Sequence, residues 1–281
     1  MSFWRLVITP RWMIALAVTI VFALITTLFA QWQWDRRGRA VAEIERVENN
    51  FDRSPVAIDE FLPNSASFDE DDKWRPVVVR GGYVADEEML VRTRPRGGSV
   101  GFDVVVPFVS VTGQAYLISR GWVPTGEAQD LPDRVPGPPV GEVEVVGRLL
   151  PGEPAIPGRG APEGQLATVN LTDAAASSGV EVHQGAYLAL DRETPAVSPT
   201  PVLQDRPQLD EGPHLSYTFQ WYLFGILGFI AWAYLLREDY RRRHGLDVPT
   251  APAKKPTDQD IEDALLDEAE QRSSAGRGAR G

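Results

Sequence analysis

Pro213-His214-Leu215-Ser216-Tyr217-Thr218-Phe219-Gln220-Trp221-Tyr222 sets a histidine where a Pro- and Gly-rich region gives way to an apolar run. From 215 to 236 the chain is apolar apart from Ser216, Thr218 and Gln220. At about 1.5 Å rise per helical residue, a run of this length crosses a hydrocarbon layer of roughly 30 Å. His214 therefore stands at one edge of a predicted membrane span, and Pro213 suits the first turn of the helix that follows.

A second apolar run lies at the other end. After Arg5 and Arg11, residues 12–30 are interrupted only by Thr19, Thr26 and Thr27. The run is longer than the roughly 7–15 residue core of a signal peptide. It continues into Gln31-Trp32-Gln33-Trp34-Asp35-Arg36-Arg37 instead of a small-residue cleavage site. An uncleaved anchor is the expectation, with a cleaved signal as the alternative. No Arg- and Ser-rich amphipathic pattern precedes it, which favours a bacterial plasma membrane over an organelle.

Orientation follows from the second run. Arg237, Arg241, Arg242 and Arg243 come after it and Asp205, Asp210 and Glu211 before it, so the positive-inside rule puts the C-terminal side in the cytoplasm. Arg36, Arg37 and Arg39 oppose this at the first run, but long translocated segments override nearby charge. The expected fold class is a membrane protein with two transmembrane helices flanking an extracytoplasmic β-rich domain (α+β, a small barrel or sandwich). The expected division is a cytoplasmic N-terminus 1–11, helix 12–30, extracytoplasmic domain 31–214 with a helical stalk near 34–50, helix 215–236, and a polar, largely disordered cytoplasmic tail 237–281.

Within the domain, Ala40, Val41, Ile44 and Val47 recur at helical spacing among charged residues until Pro55 and Pro63. The pattern then changes to short β-rich runs at 77–80, 89–94, 102–108, 115–120, 143–149, 166–170 and 186–191. Gly81-Gly82, Gly97-Gly98 and Thr112-Gly113 are expected turns. Residues 124–139 read as an irregular excursion, and Thr172-Asp173 as the cap of a short helix over 174–176 that Gly179 ends. The prolines of 192–213 suggest an extended return to the membrane, and 260–271 reads as an acidic helix in the tail.

Composition narrows the chemistry. The 281 residues carry a net charge of −11, which argues against nucleic acid as a partner because phosphate contacts require a basic surface. With no cysteine there is no disulfide, thiolate metal site or CxxC redox pair in this chain. Three histidines remain, too few for an ordinary zinc or copper site, whereas haem needs only one or two axial imidazoles. His244 follows an arginine cluster and reads as solvated; His183, in Glu181-Val182-His183-Gln184, reads as a surface strand residue.

His214, Tyr217, Thr218, Trp221, Gly225 and Gly228 fall on one helical stripe, which suits either a flat macrocycle or another helix. Interfacial anchoring by His, Tyr and Trp is the alternative. In a two-span hairpin, the 31–37 segment and the 214–221 segment meet at one surface, where Arg36 and Arg37 suit carboxylates, propionates or lipid head groups. Arg92, Arg94 and Arg96 around Pro95 read as a basic loop, and Arg120 precedes Gly121-Trp122-Val123-Pro124; both are either functional or structural turn devices. No nucleophile-and-base grouping, phosphate loop or paired carboxylate is legible, so no enzyme activity is expected.

Three motifs in order resemble the Surfeit locus protein 1 family of assembly factors for haem-copper cytochrome c oxidase. They are Gln31-Trp32-Gln33-Trp34-Asp35-Arg36-Arg37; the run from Arg92 to Pro107 with Arg120-Gly121-Trp122-Val123-Pro124; and His214-Leu215-Ser216-Tyr217 with Gln220-Trp221. The resemblance spans residues from about 12 to 240. It implies a chaperone-like role in delivering or retaining haem a while oxidase subunit I matures, with His214 on the haem iron. Tyr217 and Trp221 would pack beside the ring and Arg36 or Arg37 would lie near the propionates. The implied partners are subunit I and its assembly intermediates, haem a synthase and membrane lipid; a non-haem accessory protein that stabilises the oxidase or a respiratory supercomplex is the alternative. Thr218 in place of the family's usual alanine, Pro213 in place of a polar residue, and the tail after Gly245 depart from the pattern.

Overall fold

A computed structural model describes residues 2–246. The acidic helix expected at 260–271 lies outside the described residues. The described residues form two compact units, one built from residues 2–31 and 217–246 and one built from Trp32–Ser216.

The first unit holds α1 (Phe3–Val7), the first part of α2 (Pro10–Asn50) and most of α4 (His214–Arg243). Both α2 and α4 are long and apolar enough to cross a membrane. Their contacts run antiparallel: Trp12 Nε1 donates to Asp239 Oδ2 at 2.9 Å, a Cβ on Gly225 would stand 2.9 Å from Thr26 Oγ1, and Phe29 stacks on Trp221. Small residues at Gly225 and Gly228 let the two backbones approach, as membrane helices require when no hydrophobic force separates protein from lipid. Outward-facing Ile14, Val18, Leu24 and Leu28 on α2 are exposed, the pattern of a lipid-facing surface.

The second unit is a closed barrel with the end of α2 docked on it. The strands are β1 (Val56–Ala57), β2 (Pro76–Tyr83), β3 (Met89–Arg96), β4 (Ser99–Ser110), β5 (Ala115–Pro124), β6 (Val143–Pro151), β7 (Gln165–Leu166) and β8 (Ala186–Thr194). They pair in the order β1-β2-β6-β8-β5-β4-β3-β7, and an added β2–β4 pairing closes β2, β6, β8, β5 and β4 into a ring. All ring pairings are antiparallel except β5–β8.

Alternation along the strands divides two cores. Val77, Val79, Tyr116, Ile118, Leu188 and Leu190 belong to one cluster, while Ala115, Leu117, Tyr187 and Ala189 belong to another with Val47 of α2. Because β5 and β8 are covered on both faces, their sequences read as nearly continuous apolar runs. Docking of α2 is polar as well: Trp74 Nε1 donates to Glu43 Oε1 at 2.8 Å, and Asn50 Nδ2 donates to the carbonyls of Asp71 and Lys73.

Several expectations change. Gly81-Gly82 is not a turn but lies within β2, where the strand passes from β6 to β4; a Cβ on Gly81 would collide with the Val109 carbonyl oxygen, so closure of the ring needs a bare backbone there. The strand expected at 166–170 stops at Leu166, because Asn170 leaves the ladder to cap α3 (Leu171–Ser178), its side chain accepting from the Asp173 N–H. That cap replaces the expected Thr172-Asp173, and Gly179 ends the helix in the left-handed region with φ 65°. Arg92, Arg94 and Arg96 stand on β3, not on a loop.

Candidate functional site

In the barrel unit, the residues around α2's exit from the apolar run and the start of α4 form a joined polar cluster. His214 Nδ1–H donates to Gln33 Oε1 at 2.8 Å. One turn along α2, Arg37 pairs with Glu211 at 2.8 Å. Gln33 and Arg37 are four residues apart on one helix face, so the segment 211–214 is held at two successive positions. The first and last sequence motifs are thus brought together, although 181 positions separate their bonded residues.

The bond fixes the chemistry of the imidazole. An amide oxygen only accepts, so Nδ1 carries the proton and Nε2 carries the lone pair in the neutral ring. Gly212, with φ 67°, packs against that edge: a Cβ there would stand 3.3 Å from Nε2. A side chain at 212 would crowd that nitrogen. Its amide donates to Asp210 Oδ1 at 2.7 Å, which sets the turn leading into His214.

The two arginines of the first motif differ. Arg37 is half-buried and engaged by Glu211, with its guanidinium 5.9 Å from the Trp34 ring. Arg36 is exposed and its guanidinium lies 5.3 Å from the centre of the Trp32 ring. In the first unit, Trp221 stacks on Phe29 with centroids 4.8 Å apart and meets Phe224 edge-on, while Tyr217 is exposed.

Sequence reasoning named His214, Arg36 and Arg37 but did not single out Gln33 or Glu211. Helical spacing of Gln33 and Arg37 was the available signal; their partners depend on chain return. His183 is a correction: it is not a surface residue but 0% exposed. Its Nε2–H donates to the Asn64 carbonyl at 2.6 Å, its Nδ1 accepts from the Gly185 and Ala186 amides, and burial holds its pKa below the ordinary value. It ties the 61–68 loop to the barrel. His244 is exposed, as expected.

Within the central motif, Arg120 and Gly121 tie the barrel to the returning chain. Arg120 is 0% exposed; it donates from Nη2 to Glu193 Oε1 at 2.9 Å and from Nη1 to the Pro136 carbonyl at 2.6 Å. Tyr83 O–H donates to the other Glu193 oxygen, and burial pushes that hydroxyl's pKa far up. Gly121, with φ 130°, admits the Val202 backbone, which exchanges two 2.8 Å bonds with Trp122. Trp122 Nε1 crosses β4 over Gly101 to reach the Arg94 carbonyl at 2.8 Å. Arg120-Gly121-Trp122 thus clasps the returning chain.

Comparison with known proteins agrees with these motifs. The model of the SURF1 family matches residues 20–226. An uncharacterized SURF1-like protein of Mycobacterium tuberculosis is 32% identical over 263 residues, covering 92% of this chain and 94% of that protein. A Mycobacterium bovis SURF1-like protein matches to the same extent. The cytochrome oxidase assembly protein SHY1 of Saccharomyces cerevisiae is 30% identical over 113 residues, which cover 39% of this chain and 28% of the yeast protein.

Proposed function

Because the chain belongs to the SURF1 family, we propose that it is an assembly factor for a haem-copper cytochrome c oxidase and holds haem a through His214 for delivery to, or retention near, subunit I. The role attached by name to the yeast relative supports the assembly part of this reading. The observation that carries the haem part is the Gln33–His214 bond, which leaves Nε2 as the lone-pair nitrogen, with a glycine against it. Metal-bound imidazoles generally donate their other N–H to an oxygen acceptor, and this pair has that arrangement.

His214 would supply a nitrogen ligand to the iron, Gln33 would orient it, and Arg36 would meet a propionate while Arg37 keeps Glu211 in place. Tyr217 and Trp221, further along the same helix, are the proposed ring-packing residues. Haem a supplies redox chemistry to the oxidase that receives it; this chain binds and releases. Two helices long and apolar enough to cross a membrane support a membrane protein, proposed to sit in a bacterial plasma membrane with both termini cytoplasmic and the barrel outside. The divisions 1–11, 12–30, 31–214, 215–236 and 237–281 then stand as cytoplasmic, spanning, external, spanning and cytoplasmic. Assembly intermediates containing subunit I, haem a synthase and lipid are its proposed contacts.

The test is complementation. In a strain lacking this protein, the native chain should restore haem a content of the oxidase and His214→Ala should not. Failure of the native chain would overturn the assembly reading, and full rescue by the variant would overturn the role of the histidine.

A further inference from the structure

A second polar cluster lies in the barrel and shares no residue with the proposed haem site. The β-bulge between Val91 and Arg94, with Thr93 at φ 61°, turns the Arg94 side chain. Arg94 Nη2 donates to Glu153 Oε2 at 2.7 Å, and its Nε lies 3.0 Å from Asp103 Oδ2. Glu153 Oε2 also accepts from the Val169 amide at 2.9 Å, so this carboxylate is anchored. A cleft of about 370 Å³ opens beside the trio, walled also by Trp122, Tyr187 and Asp205. At its rim Arg96 pairs with Asp205 at 2.6 Å.

Two features make this more than an ion-pair network. Among the described residues, the cleft lining carries three carboxylates, Asp103, Glu153 and Asp205, against two guanidiniums, Arg94 and Arg96, an excess of one negative charge. Tyr187 is 8% exposed, with its ring in the core, and its hydroxyl has no hydrogen-bond partner among the described residues although it lies in the field of Glu153, Arg94 and Asp103. A hydroxyl that opens on a cleft wall from an otherwise buried ring offers an oxygen to a donor placed there. Burial, and then Glu153, push Asp103 up to about 6 against the pull of Arg94. An added cation would relieve that crowding.

We propose that the cleft bounded by Arg94, Asp103, Glu153, Trp122 and Tyr187 binds an organic monocation, an alkylguanidinium or primary ammonium group. Its N–H donors fit carboxylate oxygens and the Tyr187 oxygen, and Trp122 offers an aromatic neighbour. Among the described residues no group of His, Asp and Glu is arranged to hold a metal ion, which favours an organic cation. The group belongs either to a free small molecule or to a basic side chain of a protein.

Isothermal titration of the full chain in detergent micelles distinguishes these sources. The probes are methylguanidinium, a blocked Ala-Arg-Ala peptide and its Ala-Gln-Ala counterpart. Saturable binding of at least one cationic probe and none of the glutamine peptide is expected. Equal affinity for the two cations assigns a free ligand, and a peptide advantage of about tenfold or more assigns a protein side chain. Tyr187→Phe should weaken binding about fivefold and Asp103→Asn about tenfold, with thermal unfolding of Tyr187→Phe unchanged. Absence of saturable binding by either cation, or undiminished affinity in a folded Tyr187→Phe protein, would overturn the proposal.

Discussion

Gln33 and His214 are joined by a 2.8 Å hydrogen bond, and it converts a histidine with two equivalent options into one with an assigned tautomer. The Arg37–Glu211 pair one turn along makes the juxtaposition robust, because it fixes the same two segments a second time.

Gln33→Leu should therefore weaken haem binding by about 10- to 100-fold, the usual cost of removing a partner behind a metal-bound imidazole. Gln33→Glu, which keeps an acceptor, should retain most of the affinity. Titration of purified protein with haem, followed in the Soret region, checks this; equal affinity in Gln33→Leu would show that the bond has no part in binding.

Arg120→Met should destabilise the barrel by about 3–5 kcal/mol, because Glu193 is left charged in the interior. Adding Glu193→Gln should recover part of the loss. Denaturant unfolding monitored by circular dichroism would show it, and a change below about 1 kcal/mol would contradict the buried-pair account.

The pH dependence has a defined sign at His183. Its folded pKa lies below the ordinary 6.5, so the neutral form is favoured on folding and the unfolded chain binds the extra proton. The stability it contributes is present above about 6.5 and lost as pH falls toward the folded value. Asp103, raised to about 6, acts oppositely: its term favours the folded state below 3.8 and fades as pH rises through 6. Comparing native and His183→Gln unfolding at pH 7.5 and 5.5 cancels the Asp103 term. The native protein should lose more stability on acidification than the variant.

Two glycines predict opposite signs. Gly81→Ala forces a Cβ into the Val109 carbonyl and should cost about 1–3 kcal/mol or more. Gly38, in the interior of α2 with open space around it, should gain about 0.5–1 kcal/mol on substitution by Ala. Thermal melts of the two variants check both, and a shift of the same sign would contradict the closure argument.

Much of this architecture was legible because it rests on local patterns. The apolar runs gave both long helices, and short β-rich runs between turn residues located the strands of the ring. What stayed hidden depends on long-range pairing. Gly81-Gly82 reads as a turn until β4 is known to pair there, and His183 reads as a surface residue until the Asn64 carbonyl arrives to accept a hydrogen bond from its ring N–H. The same limit applies to the site. His214, Arg36 and Arg37 were visible as chemistry-bearing types at a membrane edge, whereas Gln33 and Glu211 acquire meaning only from the partner each one meets. The Arg94 cluster was obscured because Glu153, which lies just beyond β6 and 59 positions from Arg94, meets it only when the chain folds back, while Asp103 stands on the neighbouring strand β4.

The most direct measurement is the absorbance spectrum of the full chain purified from cells that make haem a, set beside His214→Ala prepared in parallel. The native protein should carry haem with the spectrum of an imidazole-ligated iron, and the variant should lose the haem or that ligation signature. Unchanged haem content and spectrum in His214→Ala would contradict the assignment of this histidine to the iron.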